Sequence, residues 1–168
     1  NSLNKTGSIS KGDYDILMSD LAKKAPKKRV IAALGDSITA GGYARYLKDI
    51  VPNSRPHTFG YGGKQTGFIM KKLDLALAKN PDDIIILAGV NDIASGRSFE
   101  HITGNLKKMY DKAHKAGARV IAVKILPWHA RKSSKGKEAL TKKVNEWIDS
   151  QQGTEQVAAV VEGKKMLS

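Results

Sequence analysis

Val30-Ile31-Ala32-Ala33-Leu34-Gly35-Asp36-Ser37-Ile38-Thr39 is an apolar run that stops on a glycine, an acid and a serine. It does not alternate apolar with polar residues, so it reads as a strand buried on both faces. A second run, Ile84-Ile85-Ile86-Leu87-Ala88, ends in a similar way on Gly89-Val90-Asn91-Asp92. Strands of this kind belong to open α/β sheets, which bind ligands outside the carboxyl ends of their strands. A serine and an asparagine delivered to one rim suit acyl transfer. The hydroxyl would be the nucleophile and the amide an oxyanion donor.

Outward from these two strands the pattern repeats. Strands are predicted at 29–34, 57–59, 83–88, 119–126 and 157–161, with helices over 41–50, 66–79, 99–116 and 136–151. A further helix, 13–24, is expected with Asp13 as its cap, Ile16, Leu17 and Leu21 on one face, and Pro26 as its stop. Strand–helix alternation with near-continuous Val/Ile/Leu strands predicts a parallel sheet with helices on both faces. The expected architecture is a three-layer α/β/α, flavodoxin-like domain with a five-stranded parallel sheet ordered 2-1-3-4-5. Residues 1–27 read as an N-terminal extension with one helix, and 28–168 as the domain.

The chain's 168 residues, 40% hydrophobic and 27% charged, suffice for one domain with its own core. It has no cysteine, which excludes disulfides and thiolate metal sites. No apolar stretch is long enough to span a bilayer as a helix. The sequence opens on Asn1 without a basic-then-apolar leader, as expected of a processed form. The compartment stays open, with a secreted or cell-envelope location favoured. The net charge is +13, which favours polyanions. A solvated basic surface accounts for it; an anionic polymer partner is the second reading. Aromatic residues are not interleaved with the basic ones, so nucleic acid is not expected as a partner.

Each candidate site residue also has a plain structural reading. Ser37 fits an ordinary helix N-cap. Gly60-Tyr61-Gly62-Gly63 fits a strand-to-helix turn, or a backbone N–H offered to an oxyanion where no Cβ obstructs approach. Asn91-Asp92 fits a turn and cap pair. Thr39 stands where a Gly-x-Ser-x-Gly elbow needs its second glycine, and no Gly-Lys-Ser/Thr follows to make a P-loop.

The combination is more specific than its parts. Gly-Asp-Ser, Gly-x-x-Gly and Gly-x-Asn-Asp, in this order on consecutive strands, resemble the blocks of the SGNH (GDSL-type) hydrolase family over roughly residues 28–161. The resemblance implies that Ser37 is the nucleophile. It implies that the Ser37 backbone N–H, Gly63 and the Asn91 side chain form the oxyanion hole. The family's last block, Asp-x-x-His after the fifth strand, supplies the general base. The expectation here is a chain without that block, since the sequence stops at Ser168 soon after the fifth strand.

Three sources of an answer compete. The block belongs to a missing segment or a partner chain; or His129, in Leu126-Pro127-Trp128-His129 past the fourth strand, replaces it; or the chain is a catalytically impaired module. His57, His101 and His114 are read as surface residues. The implied activity is that of a serine esterase acting through an acyl-enzyme on Ser37. Its substrate would be an O-acetylated carbohydrate or a small acyl ester. The competing class is an SGNH-fold binding module for an anionic glycan or cell-surface polymer. No cofactor and no metal are implied.

Overall fold

The computed structural model describes residues 10–24, 27–127 and 134–163. Its sheet is formed by β1 (Arg29–Gly35), β2 (Ser54–Gly60), β3 (Asp83–Leu87), β4 (Arg119–Val123) and β5 (Ala159–Val161). All neighbours are parallel, in the order β2-β1-β3-β4-β5. This is the expected flavodoxin-like arrangement. Right-handed crossovers place connections that step left and right across a sheet on opposite faces. The link from β1 to β2 steps left. It is short and broken into α2 (Ser37–Ala40), a 3₁₀ turn at Tyr43–Tyr46 and α3 (Leu47–Ile50), rather than one helix over 41–50. The links from β2 onward step right and carry α4 (Thr66–Leu77), α6 (Phe99–Lys115) and α7 (Lys135–Ser150). A one-turn helix, α5 (Val90–Ala94), precedes α6.

Side-chain alternation along β1, β3 and β4 divides the core accordingly. Ala32, Leu34, Ile84, Ile86, Val120 and Ala122 pack with Leu73 of α4, Leu106 and Met109 of α6 and Ile148 of α7. Ile31, Ile85, Leu87 and Val123 face the other way, toward Ile38, Tyr43 and Leu47. At the amino rim, the buried Asp83 carboxylate receives Arg29 from β1 and Arg119 from β4. Burial alone would raise its pKa. The hydrogen bonds from the two guanidinium groups outweigh that effect and hold it below the ordinary carboxylate value.

Several boundaries differ from the sequence expectation. β2 begins at Ser54, so Pro56 lies within a strand, opposite Ile31. An edge strand tolerates a residue without an N–H, and β2 is the edge. His57 is therefore mid-strand, half-buried beside Ala32, and does not begin the strand. The first helix, α1 (Lys11–Lys24), is capped by Ser10, whose hydroxyl accepts from Asp13 N at 3.2 Å; Asp13 sits in the first turn. Its apolar residues are not covered: Ile16 is 64% exposed and Leu21 52%. Pro26 and His129 lie outside the described residues.

Candidate active site

The site follows from register. Gly35 at the end of β1 lies level with Gly60 of β2 on one side and Leu87 of β3 on the other. Ser37, Gly63 and Asn91 come two, three and four residues beyond that rung. Two hydrogen bonds tie the three ends together. Tyr61 N donates to Gly35 O at 2.8 Å, and Asp36 N donates to Leu87 O at 3.3 Å.

Ser37 is the first residue of α2 and is exposed. The cap of that helix is Asp36, whose Oδ1 accepts from Ile38 N at 3.0 Å. The plain reading of Ser37 as the N-cap therefore fails by one residue, and its hydroxyl is not needed for capping. Asp36 is only 1% exposed, and its Oδ2 has no hydrogen-bond partner among the described residues. Burial pushes the Asp36 carboxyl up; the Ile38 N–H pulls it down, and the charge of Asp92 adds a further upward push.

Glycine at 35 and 60 is a matter of space. A Cβ on Gly35 would lie 2.3 Å from Leu87 O and 2.4 Å from Thr39 Oγ1. A Cβ on Gly60 would lie 2.1 Å from Ala40 N and 2.3 Å from Ala40 Cα. Ala40 closes the short helix that begins with Ser37, so the end of β2 is pressed against the element carrying the serine. Gly60→Ala is expected to lower stability by about 3 kcal/mol, at the upper end of overpacking costs, because both clashing partners are backbone. Urea denaturation measures this; a loss under about 1 kcal/mol would show that α2 is free to move aside.

The second and third strand ends are joined by side chains. The Asn91 amide donates from Nδ2 to Lys64 O at 2.9 Å, which places it beside Gly63. Gly63 has φ +71°, and its Cα faces open space. Asp92, fully buried, accepts from Thr66 N at 2.8 Å and from Thr66 Oγ1 at 2.6 Å. It thus fastens the first turn of α4 to the loop carrying Asn91. Gln65 bridges the same two segments, donating to Ser95 Oγ and accepting from Arg97 Nε, each at 3.0 Å. The pairing of Asp92 with Thr66 and of Gln65 with Arg97 escaped the sequence reading. Partners 26 and 32 residues apart leave no local periodicity.

The Asp-x-x-His spacing does occur in the chain, though before the fourth strand rather than after the fifth. Asp111-Lys112-Ala113-His114 has that spacing. It lies at the carboxyl end of α6, where the chain turns into the start of β4, so it is at the rim opposite Ser37. There Asp111 accepts from Lys107, and His114 Nε2 lies 3.5 Å from Glu155. His101 is better placed, in the first turn of α6 on the carboxyl rim. Its Nε2 is 3.7 Å from Asp92 Oδ1 and 3.3 Å from Asn105 Nδ2. His101 lines a cleft of about 430 Å³ with Gly63, Lys64, Gln65, Gly67, Phe68 and Arg97. A larger cleft of about 490 Å³ runs along α7 and includes none of Ser37, Gly63 and Asn91. Among the described residues no group of three His, Asp or Glu side chains is arranged to hold a metal ion. No described helix is long and apolar enough to cross a membrane.

Solved structures share this architecture. A protein of the G-D-S-L family from Desulfitobacterium hafniense DCB-2 superposes with a TM-score of 0.68 at 21% identity, covering 79% of this chain and 76% of its own. The esterase AlinE4, of the SGNH-hydrolase family, gives 0.66 at 18% identity, with 80% and 76% covered. A member of the lipolytic G-D-S-L family from Veillonella parvula DSM 2008 gives 0.66 at 20% identity, with 78% and 76% covered. These likenesses establish the fold. No curated protein sequence matches the chain. The profile of the GDSL-like lipase/acylhydrolase family, however, matches residues 33–161, from within β1 to the end of β5. That span takes in all three polar strand ends, and the chain belongs to the GDSL-like lipase/acylhydrolase family.

Proposed function

We propose that the chain is a serine esterase whose nucleophile is Ser37. The observation that carries this is the common rung of Gly35, Gly60 and Leu87, which brings Ser37, Gly63 and Asn91 to one rim. Ser37 Oγ attacks the ester carbonyl carbon, and the carbonyl oxygen takes up the negative charge. The N–H groups of Ser37 and Gly63 and the Asn91 amide are the donors for that charge. Asn91 is suited to this role because its hydrogen bond to Lys64 O restrains the amide before substrate arrives. Collapse expels the alcohol and leaves an acyl-enzyme, which water cleaves to release the acid and restore Ser37.

The step needs a general base. His129 is one candidate; a histidine of the Asp-x-x-His type from another segment or a partner chain is the other. Substrates of this reading are O-acetylated carbohydrates and small acyl esters. The charge of +13 favours an anionic glycan as the carrier of the ester.

Treatment with a serine-directed fluorophosphonate followed by peptide mass spectrometry tests the assignment. A single adduct on Ser37 is the expected result. No adduct, together with retained binding of an acidic glycan, would make the fold a binding module instead.

A further inference from the structure

The cleft beside Gly63 has a chemical bias that the esterase reading does not use. Its lining contains Lys64, Arg97 and His101 and not one acidic residue. Asp92 lies close by but is fully buried and committed to Thr66. Neither Lys64 nor Arg97 takes part in an ion pair among the described residues, whereas Arg29, Lys107, Lys112, Arg119, Lys124 and Lys142 do. Both are nevertheless held in place. Arg97 Nε donates to Gln65 Oε1 at 3.0 Å, which restrains the guanidinium. Lys64 Nζ lies 5.0 Å from the centre of the Phe68 ring, and Lys72 lies 5.3 Å from the same ring. Phe68 is itself 37% exposed, so the cleft offers an apolar wall beside its cations.

Two restrained cations without a counter-charge, next to a proposed oxyanion donor, form a site for an anionic oxygen group. We propose that this cleft holds a carboxylate or phosphate group carried by the ester, with Arg97 and Lys64 as its recognition residues and Phe68 as the surface for the linking carbons. The chain would then select anionic esters over neutral ones of similar size. This inference rests on the esterase reading for its orientation, since Gly63 is where the ester carbonyl would lie. A planar guanidinium matches both carboxylate and phosphate geometry, so the two anions are separated by measurement.

The test is a chemical-shift titration of the full chain carrying Ser37→Ala, so that no ester is consumed. The probes are methyl butyrate, monomethyl glutarate and 1-acetylglycerol 3-phosphate. At least one anionic ester is expected to bind roughly tenfold or more tightly than methyl butyrate, the lower range for a hydrogen bond to a charged group. The shifts should fall on residues 63–68 and 97–101. The better of the two anions identifies the group. In a further variant with Lys64→Gln and Arg97→Gln, the preference should vanish while affinity for methyl butyrate is unchanged. Equal affinities for all three probes, including no detectable binding of any, would overturn the proposal, as would a preference that survives both substitutions. Fluorophosphonate labelling of the unsubstituted chain is read separately. An anion preference without labelling keeps the site and removes Ser37 as a nucleophile activated within this chain, whereas labelling without a preference removes the site and keeps the esterase reading.

Discussion

With its general base in place, the protein carrying Ser37→Ala is expected to lose turnover of p-nitrophenyl acetate by on the order of 10⁶-fold, the size of loss when the nucleophile of a serine triad is removed. Stability should barely change. Ser37 is exposed, and the cap of α2 is Asp36 through its bond to Ile38 N. An exposed substitution with no cap to lose costs within about 0.5 kcal/mol. Paired kinetics and thermal melts check both halves. Retained turnover would remove Ser37 from the chemistry; lost turnover with a collapsed melting temperature would show a structural role instead. The same assay locates the base. Members of a nucleophile–base pair fail together, so His129→Ala should match Ser37→Ala if His129 takes the proton. It should be neutral if the histidine comes from another segment or chain.

Asn91→Ala is expected to reduce kcat by roughly 10²- to 10³-fold with a much smaller change in KM, the effect of losing one oxyanion donor. The reasoning is that Asn91 acts on charge that develops only as the ester carbonyl is attacked, so ground-state binding is little affected. The fold should survive, because the link between the two loops is carried mainly by the buried Asp92 with Thr66. Asn91→Asp is a useful companion. It keeps the size of the side chain but replaces the donor with a negative charge aimed at a developing anion, and it should be at least as inactive. A pure KM effect in Asn91→Ala would instead make the residue a ground-state contact for substrate.

The outline of this fold was readable because its strands are buried on both faces. Runs such as Val30 to Leu34 and Ile84 to Ala88, alternating with helical segments, point to a parallel sheet between two helical layers. Parallel strands also put functional loops at their carboxyl ends, so Ser37 and Asn91 could be assigned to one rim from chain order alone. The break of the first crossover into α2, the 3₁₀ turn and α3 was less readable. Tyr43, Tyr46, Leu47 and Ile50 have helical spacing, but Gly42, with φ +85°, sets α2 apart from them, and Tyr43–Tyr46 wind as a 3₁₀ turn before α3. The extension of β2 back through Pro56 was hidden too, since proline is excluded from a central strand but not from an edge.

The working details of the site depend on contacts between residues far apart in the chain. Gly60 reads as a flexible turn residue, yet its place is set by Ala40 lying where a Cβ would go. Asp92 reads as a local cap, and in space it anchors the first turn of α4. His101 is exposed, as a position on a surface helix suggests, yet it stands beside Asp92 and lines the cleft next to Gly63. Residue type and hydrophobic period specify strands, faces and rims, because those depend on neighbours a few positions away. Which groups meet across a rim depends on sheet register and helix packing, and these are settled only when the whole core closes.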